Sequence, residues 1–128
     1  MKTLIFLDDE RFLEDVTWLN YNQEFKNVFI CRNYIDFTCA YDNNFNDIFV
    51  QGFDLKNYVF SFDHDIASFD ENGYERTGLT CAKWLCDFIM DNNLDPKDLE
   101  YYVHSQNPVG AENIKKYIEG FKQNWSPM

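Results

Sequence analysis

The sequence predicts an α/β domain, a three-layer sandwich around a mostly parallel four-stranded sheet. Three observations predict it. Four runs rich in β-branched and aromatic residues, at about 3–7, 27–31, 58–62 and 100–104, are continuously apolar, as strands buried on both faces should be. The segments between them are long enough for the crossover connections that parallel strands require. Acids or histidines close three of the runs: Asp8-Asp9-Glu10, Asp63-His64-Asp65 and His104-Ser105. In open parallel sheets the carboxyl ends of the strands share one rim, and ligands bind there.

The elements follow in order. Leu4-Ile5-Phe6-Leu7 is the first strand, and Phe12 to Tyr21 reads as a first helical segment. After the second strand, Tyr34, Phe37 and Tyr41 recur at helical spacing and predict a second helix. Asn43 to Lys56 has no clear period and reads as an irregular connection with a short helical piece. Val59-Phe60-Ser61-Phe62 is the third strand. Ile66 to Arg76 reads as a surface loop beside the site, where a lid could sit. Leu79, Ala82, Leu85, Cys86 and Ile89 form the apolar stripe of a third helix, with Thr77 as its N-cap. Tyr101-Tyr102-Val103 is the fourth strand. Ile114, Tyr117, Ile118 and Phe121 mark a fourth helix, capped by Asn107 with Pro108 in its first turn. Right-handed crossovers then give a flavodoxin-like strand order, 2-1-3-4, with strands 1 and 3 side by side at the switch point.

Size and charge narrow the function. A chain of 128 residues fits one domain, 1–128, and can bury a core without a staple. With 45% hydrophobic and 19% aromatic residues it lies outside the disordered class. A net charge of −11 argues against broad nucleic-acid binding, which needs clustered Lys and Arg. A small phosphorylated ligand stays open, because a bound cation reverses the local sign. Cys31, Cys39, Cys81 and Cys86 show no zinc-like spacing and read as buried free thiols, and Trp18 and Trp84 read as core. No run approaches the ~20 apolar residues of a membrane span, nor is there a secretory leader, so a soluble, cytoplasmic protein without a membrane partner is expected. Nothing in the sequence sets an oligomeric state.

The rim residues carry the chemistry. Asp8, Asp9, Asp63 and Asp65 are the expected metal ligands. Carboxylates crowded at a rim repel unless a cation lies among them, and Mg²⁺, or Mn²⁺ in its place, takes one or two carboxylates plus water and phosphate oxygens. A solvated turn with acids at a helix start is the plainer account of the first cluster. His64 and His104, the only histidines, are candidates for proton transfer, since imidazole titrates near neutral pH. Asp63 can ligate metal or attack phosphorus. Arg11, Ser105, Asn107, Gly110 and, more weakly, Thr77 are the expected phosphate binders: a guanidinium, a helix start with free N–H groups, and a glycine permitting close approach. Arg32 flanks the second strand but lies farther from the acids.

At these residues the chain resembles the cyclic-phosphate processing receiver-like domains, which are related to response-regulator receivers. The matching pieces are Phe6-Leu7-Asp8-Asp9-Glu10-Arg11, Ser61-Phe62-Asp63-His64-Asp65, Thr77-Gly78 and His104-Ser105-Gln106-Asn107-Pro108-Val109-Gly110. The resemblance implies a receiver-like sheet with a metal-supported site acting on cyclic phosphates. Asp8 and Asp9 match the receiver's metal-binding acids, Asp63 its phosphoacceptor, and Ser105 lies near its strand-4 hydroxyl. Receivers carry a fifth strand ending in lysine, absent here after the fourth helix, and lack the two histidines; both differences favour hydrolysis over phosphorelay.

The expected function is therefore a metal-dependent phosphoesterase that opens a cyclic phosphate on a nucleotide, a nucleotide derivative or an RNA end. Asp63 is the alternative nucleophile, through an aspartyl-phosphate. The competing expectation, from another class, is a non-catalytic receiver-like module that binds a phosphorylated ligand or a protein partner.

Overall fold

The computed structural model describes residues 1–124. In chain order the strands are β1 (Lys2–Leu7), β2 (Phe25–Cys31), β3 (Tyr58–Phe62), β4 (Ser68–Phe69), β5 (Glu75–Arg76) and β6 (Glu100–Val103); the α-helices are α1 (Tyr34–Thr38), α2 (Gly78–Asp91) and α3 (Pro108–Asn124). The main sheet runs β2-β1-β3-β6 with every pair parallel, which is the expected 2-1-3-4 order once the short β4 and β5 are set aside. The fold is receiver-like. Leu7 lies opposite both Cys31 and Phe62, and Phe62 opposite Val103, so the four strands end level with one another.

Strand residues alternate between the two faces. Ile5, Leu7, Phe60 and Phe62 point to the face that all three helices cover. There α2 buries Cys81, Ala82, Leu85, Cys86 and Ile89, and α3 buries Ile114 and Ile118, the stripes read from the sequence. Phe37 of α1 meets Phe60, Phe62 and Trp84, while Phe49 packs tilted against Phe53 and edge-on against Phe88, so one aromatic cluster fills the space between sheet and helices. Fully burying each such side chain contributes about 1.5–3 kcal/mol. Cys31, Cys81 and Cys86 sit here, and burial pushes each thiol up to about 12; Cys39 is exposed, against expectation.

Leu4, Phe6 and Val59 point to the other face. Its cover is not helical. The expected helix over Phe12 to Tyr21 is a single 3₁₀ turn, Leu13–Asp15, within an otherwise irregular strap that buries Val16 and Tyr21. Side chains compete for the backbone there: Asp15 takes the Phe12 N–H at 2.9 Å and Asn20 takes that of Asn22, which adopts a left-handed φ of 56°.

The second helix is likewise shorter than its spacing predicts. Asn33 caps it through the Asp36 N–H, but Tyr41 lies beyond its end, where Asp42 accepts from the Asn44 and Asn46 N–H groups and turns the chain. Asn43 to Lys56 is irregular, as expected, with a 3₁₀ turn at Leu55–Asn57. Ile66 to Arg76 is not an open loop throughout. It holds the β4–β5 hairpin, which leans on α1 through Tyr34 N–H to Ser68 Oγ (3.4 Å) and Arg76 over the Tyr34 ring (4.5 Å). Among the described residues no helix is long and apolar enough to cross a membrane.

Candidate functional site

Level strand ends set the site. Asp8 N–H donates to the Cys31 carbonyl, Asp63 N–H to Leu7 and His104 N–H to Phe62, each at 3.0 Å. Each residue thus stands one step beyond its strand, fixed by the strand beside it. Residues almost a hundred positions apart in sequence are gathered by nothing more than register.

Asp8 is fully buried. Its Oδ1 accepts the N–H groups of Glu10 (2.9 Å) and Arg11 (2.8 Å), and its Oδ2 faces His104 Nε2 (3.1 Å) and Arg11 Nη1 (3.4 Å). Burial alone would push this carboxyl up, yet the bonds from His104, Arg11 and Glu10 outweigh it and hold it well below the usual carboxylate range. Asp63 behaves oppositely. Burial and then the Asp8 charge push its carboxyl up, against the opposing pull of His104, the His64 N–H (2.8 Å) and the Ser105 hydroxyl. Two acids at one rim are driven apart in acidity by their surroundings, the pattern expected where one stays ionised and the other exchanges a proton.

Arg11 stands between them, with Nη1 3.4 Å from Asp8 and 3.7 Å from Asp63. Its Nη2 donates to Gln106 Oε1 (3.2 Å), and its guanidinium lies 5.1 Å above the Trp18 ring. Trp18 is therefore no core residue: it is 41% exposed, and its Nε1 donates to the His104 carbonyl at 2.9 Å. Arg32 ties the loop from behind, donating to the carbonyls of Asp8 and Arg11.

Above Asp63 opens a cleft of about 480 Å³. Asp9, Glu10 and Arg11 line it from the end of β1, Asp63 and Asp65 from the end of β3, and Ser105, Gln106 and Asn107 from the end of β6. Asp9 is half-buried, and burial, then Glu10, push its carboxyl up. Asp65 is exposed and held down by Asn107 Nδ2 (3.1 Å) and then His64 (3.1 Å).

The two histidines occupy unlike positions. His104 is buried, stacked on Phe6 at 4.5 Å, with Nε2 on Asp8 and Nδ1 on Ser61 Oγ (2.7 Å). Both nitrogens are engaged, so it does not present an acid or base to the cleft as the sequence reading expected. His64 keeps 18% of its side chain exposed, with Nδ1 on Asp65. Its ring lies so close to Gly110 that a Cβ there would overlap it. Gly110 therefore makes room for His64 rather than for a ligand. Thr77 also falls outside the cleft: its N–H donates to Thr80 Oγ1 (2.9 Å) at the start of α2, a capping role. Asn107 caps α3 through the Gly110 N–H (3.1 Å), as foreseen, and also lines the cleft.

The sequence reading missed Tyr21, Ser61 and Gln106. Ser61 had left a signal, as the one polar residue inside an apolar strand. Tyr21 and Gln106 had left none.

Asp8, Asp63 and His104 offer ligand atoms that all lie within 4.8 Å of one another. The chemistry of these donors fits a divalent cation, with Asp8 and Asp63 as the oxygen donors and the cleft open for water. Asp9 and Asp65, expected as ligands, stand outside that cluster on the cleft walls. Comparison with known proteins gives one result: the family described as the cyclic-phosphate processing receiver domain matches residues 3–120. No curated protein and no solved structure matches significantly.

Proposed function

We propose, from the premise that this chain belongs to the cyclic-phosphate processing receiver domain family, that it hydrolyses a cyclic phosphodiester to a phosphomonoester. The substrate is a small nucleotide, a nucleotide derivative or an RNA end. The observation that carries this reading is the pairing of Asp8 and Asp63, adjacent acids of opposed acidity, beneath a cleft bearing Arg11, Ser105 and Asn107.

Arg11, seated on the Trp18 ring, binds a non-bridging phosphate oxygen, a role its planar fork suits. Ser105 and Asn107 orient the phosphate from the far wall. Asp63, on the floor of the cleft, takes a proton from the attacking water, whose oxygen bonds to phosphorus as one ring P–O bond breaks. The departing alkoxide needs a proton, and His64, oriented by Asp65 and partly exposed, is the histidine able to supply it. Asp8 and Asp63 would hold a divalent cation, Mg²⁺ or Mn²⁺, which when bound neutralises developing charge on phosphate.

A second reading has one observation in its favour. Arg11 already fills the space beside both carboxylates, as it would in a binding module that needs no metal. One experiment separates the two: purified protein against 2′,3′-cyclic nucleotides, RNA cyclic ends and ADP-ribose cyclic phosphate, with Mg²⁺, Mn²⁺ or EDTA. Turnover that disappears in EDTA, and falls at least 100-fold in His64→Ala, supports the hydrolase. Saturable binding of these ligands without turnover in any metal supports the module.

A further inference from the structure

Behind Asp8 a chain of hydrogen bonds runs inward, away from the cleft. His104 Nε2 lies 3.1 Å from Asp8 Oδ2, His104 Nδ1 lies 2.7 Å from Ser61 Oγ, and Ser61 Oγ lies 2.7 Å from Tyr21 Oη. Every member is buried. The chain is clamped at both flanks: Tyr102 Oη donates to the Tyr21 carbonyl (2.6 Å), Trp18 Nε1 donates to the His104 carbonyl (2.9 Å), and Phe6 stacks flat on the imidazole.

Donor and acceptor counting gives this chain a direction. Asp8 accepts at both oxygens, from two backbone N–H groups and the Arg11 guanidinium, so it is an acceptor toward His104 too, and Nε2 must carry the hydrogen. Suppose Nδ1 also carried one. Ser61 would then either donate to Tyr21, leaving the buried phenol hydrogen without an acceptor, or accept from both neighbours, leaving its own hydrogen without one. A buried donor without a partner costs about 1–3 kcal/mol. The opposite order satisfies every group: Tyr21 O–H to Ser61, Ser61 O–H to Nδ1, Nε2–H to Asp8.

We infer that Tyr21 and Ser61 are positioning residues that hold His104 as the neutral Nε2–H tautomer, so that it supports Asp8 as a hydrogen-bond donor and is withheld from both cation and substrate. This rests on the proposed role of Asp8 as a carboxylate of the working site. A consequence concerns the cation. With Nε2 capped by hydrogen, the three donors of the cluster reduce to two carboxylate oxygens, one each from Asp8 and Asp63, a set that suits hard ions such as Mg²⁺ and Mn²⁺ better than Zn²⁺. The usual arrangement, a ligating imidazole backed by a carboxylate, is here reversed.

The test is nitrogen-15 NMR of the imidazoles in EDTA at neutral pH, with His64→Asn used to assign the two rings. Wild type should give His104 as one neutral tautomer, protonated at Nε2, with a bare Nδ1. Ser61→Ala, which removes the donor to Nδ1, should leave Nε2–H on Asp8 and free Nδ1 to take up a hydrogen of its own, moving the Nδ1 resonance, and Ser61→Thr should restore the wild-type pattern. Tyr21→Phe deletes a single oxygen, so it remains readable should Ser61→Ala fold poorly, and it should shift the same resonances in the same sense. Wild-type His104 found as the Nδ1–H tautomer or doubly protonated overturns the inference, as does an Nδ1 resonance indifferent to both Ser61→Ala and Tyr21→Phe. These spectra need neither metal nor turnover. An inactive protein with the expected spectra would sink the hydrolase reading alone, and an active one with the wrong tautomer would sink this inference alone.

Discussion

Toward its helices the sheet presents Ile5, Leu7, Phe60 and Phe62, and the layer over them is aliphatic and aromatic, from Phe37 through Trp84 to Phe88. Toward the strap before β2 it presents Phe6 and Ser61, and the cover is tied down by the Tyr21, Tyr102 and Trp18 hydrogen bonds. The helical face relies on area, which is non-directional and indifferent to where any one atom falls. The strap face relies on bonds with fixed donors and acceptors, and those bonds end at Asp8. One face makes the fold stable, and the other places particular atoms at the rim.

The largest test of that contrast is truncation on the helical side. Phe60→Ala should cost about 3–5 kcal/mol in urea unfolding, while ligand affinity of the remaining folded fraction stays near wild type. A loss of affinity out of proportion to unfolding would show that the two faces are not separable in this way. Next comes Tyr21→Phe on the strap side, where Ser61 loses its donor; the expected cost is about 1–2 kcal/mol, and the test is whether unfolding by urea reports less than half the Phe60→Ala effect.

The smallest effect has the opposite sign. Asp63 is pushed above the usual carboxylate range by burial and by Asp8, so ionising it costs the folded state. That cost is fully present above the raised folded pKa and vanishes below the unfolded value, about 3.9. Asp63→Asn in EDTA should therefore raise the melting temperature at neutral pH, and the gain should shrink as pH falls through that window. A melting temperature lowered by Asp63→Asn at neutral pH would mean that Arg11 stabilises the charged form more than its neighbours oppose it.

The helical face and the rim were legible in the sequence for one reason. Strands buried on both sides write themselves as unbroken apolar runs, and register then carries the residues after Leu7, Phe62 and Val103 to one level. Which way each rim side chain turns is not written that way. His104 and Asp63 follow their strands identically, yet one ring folds back onto Phe6 and the other carboxylate faces the cleft. The strap was misread for a related reason: Val16, Leu19 and Tyr21 are apolar enough to suggest a helix, while the forces that decide, from Asp15 and Asn20, are local polar bonds. Gly110 was assigned to a ligand because the ring it accommodates lies 46 positions earlier in the chain, His64.

Trp18 gives the cleft an optical reporter of its own. Its indole lies 5.1 Å beneath the Arg11 guanidinium and partly in solvent, whereas Trp84 is wedged among phenyl rings on the far side of the sheet. A phosphate that draws Arg11 off that ring changes the dielectric around Trp18 and not around Trp84. Occupancy is thus written into the emission spectrum, and titrations of unlabelled protein can follow it.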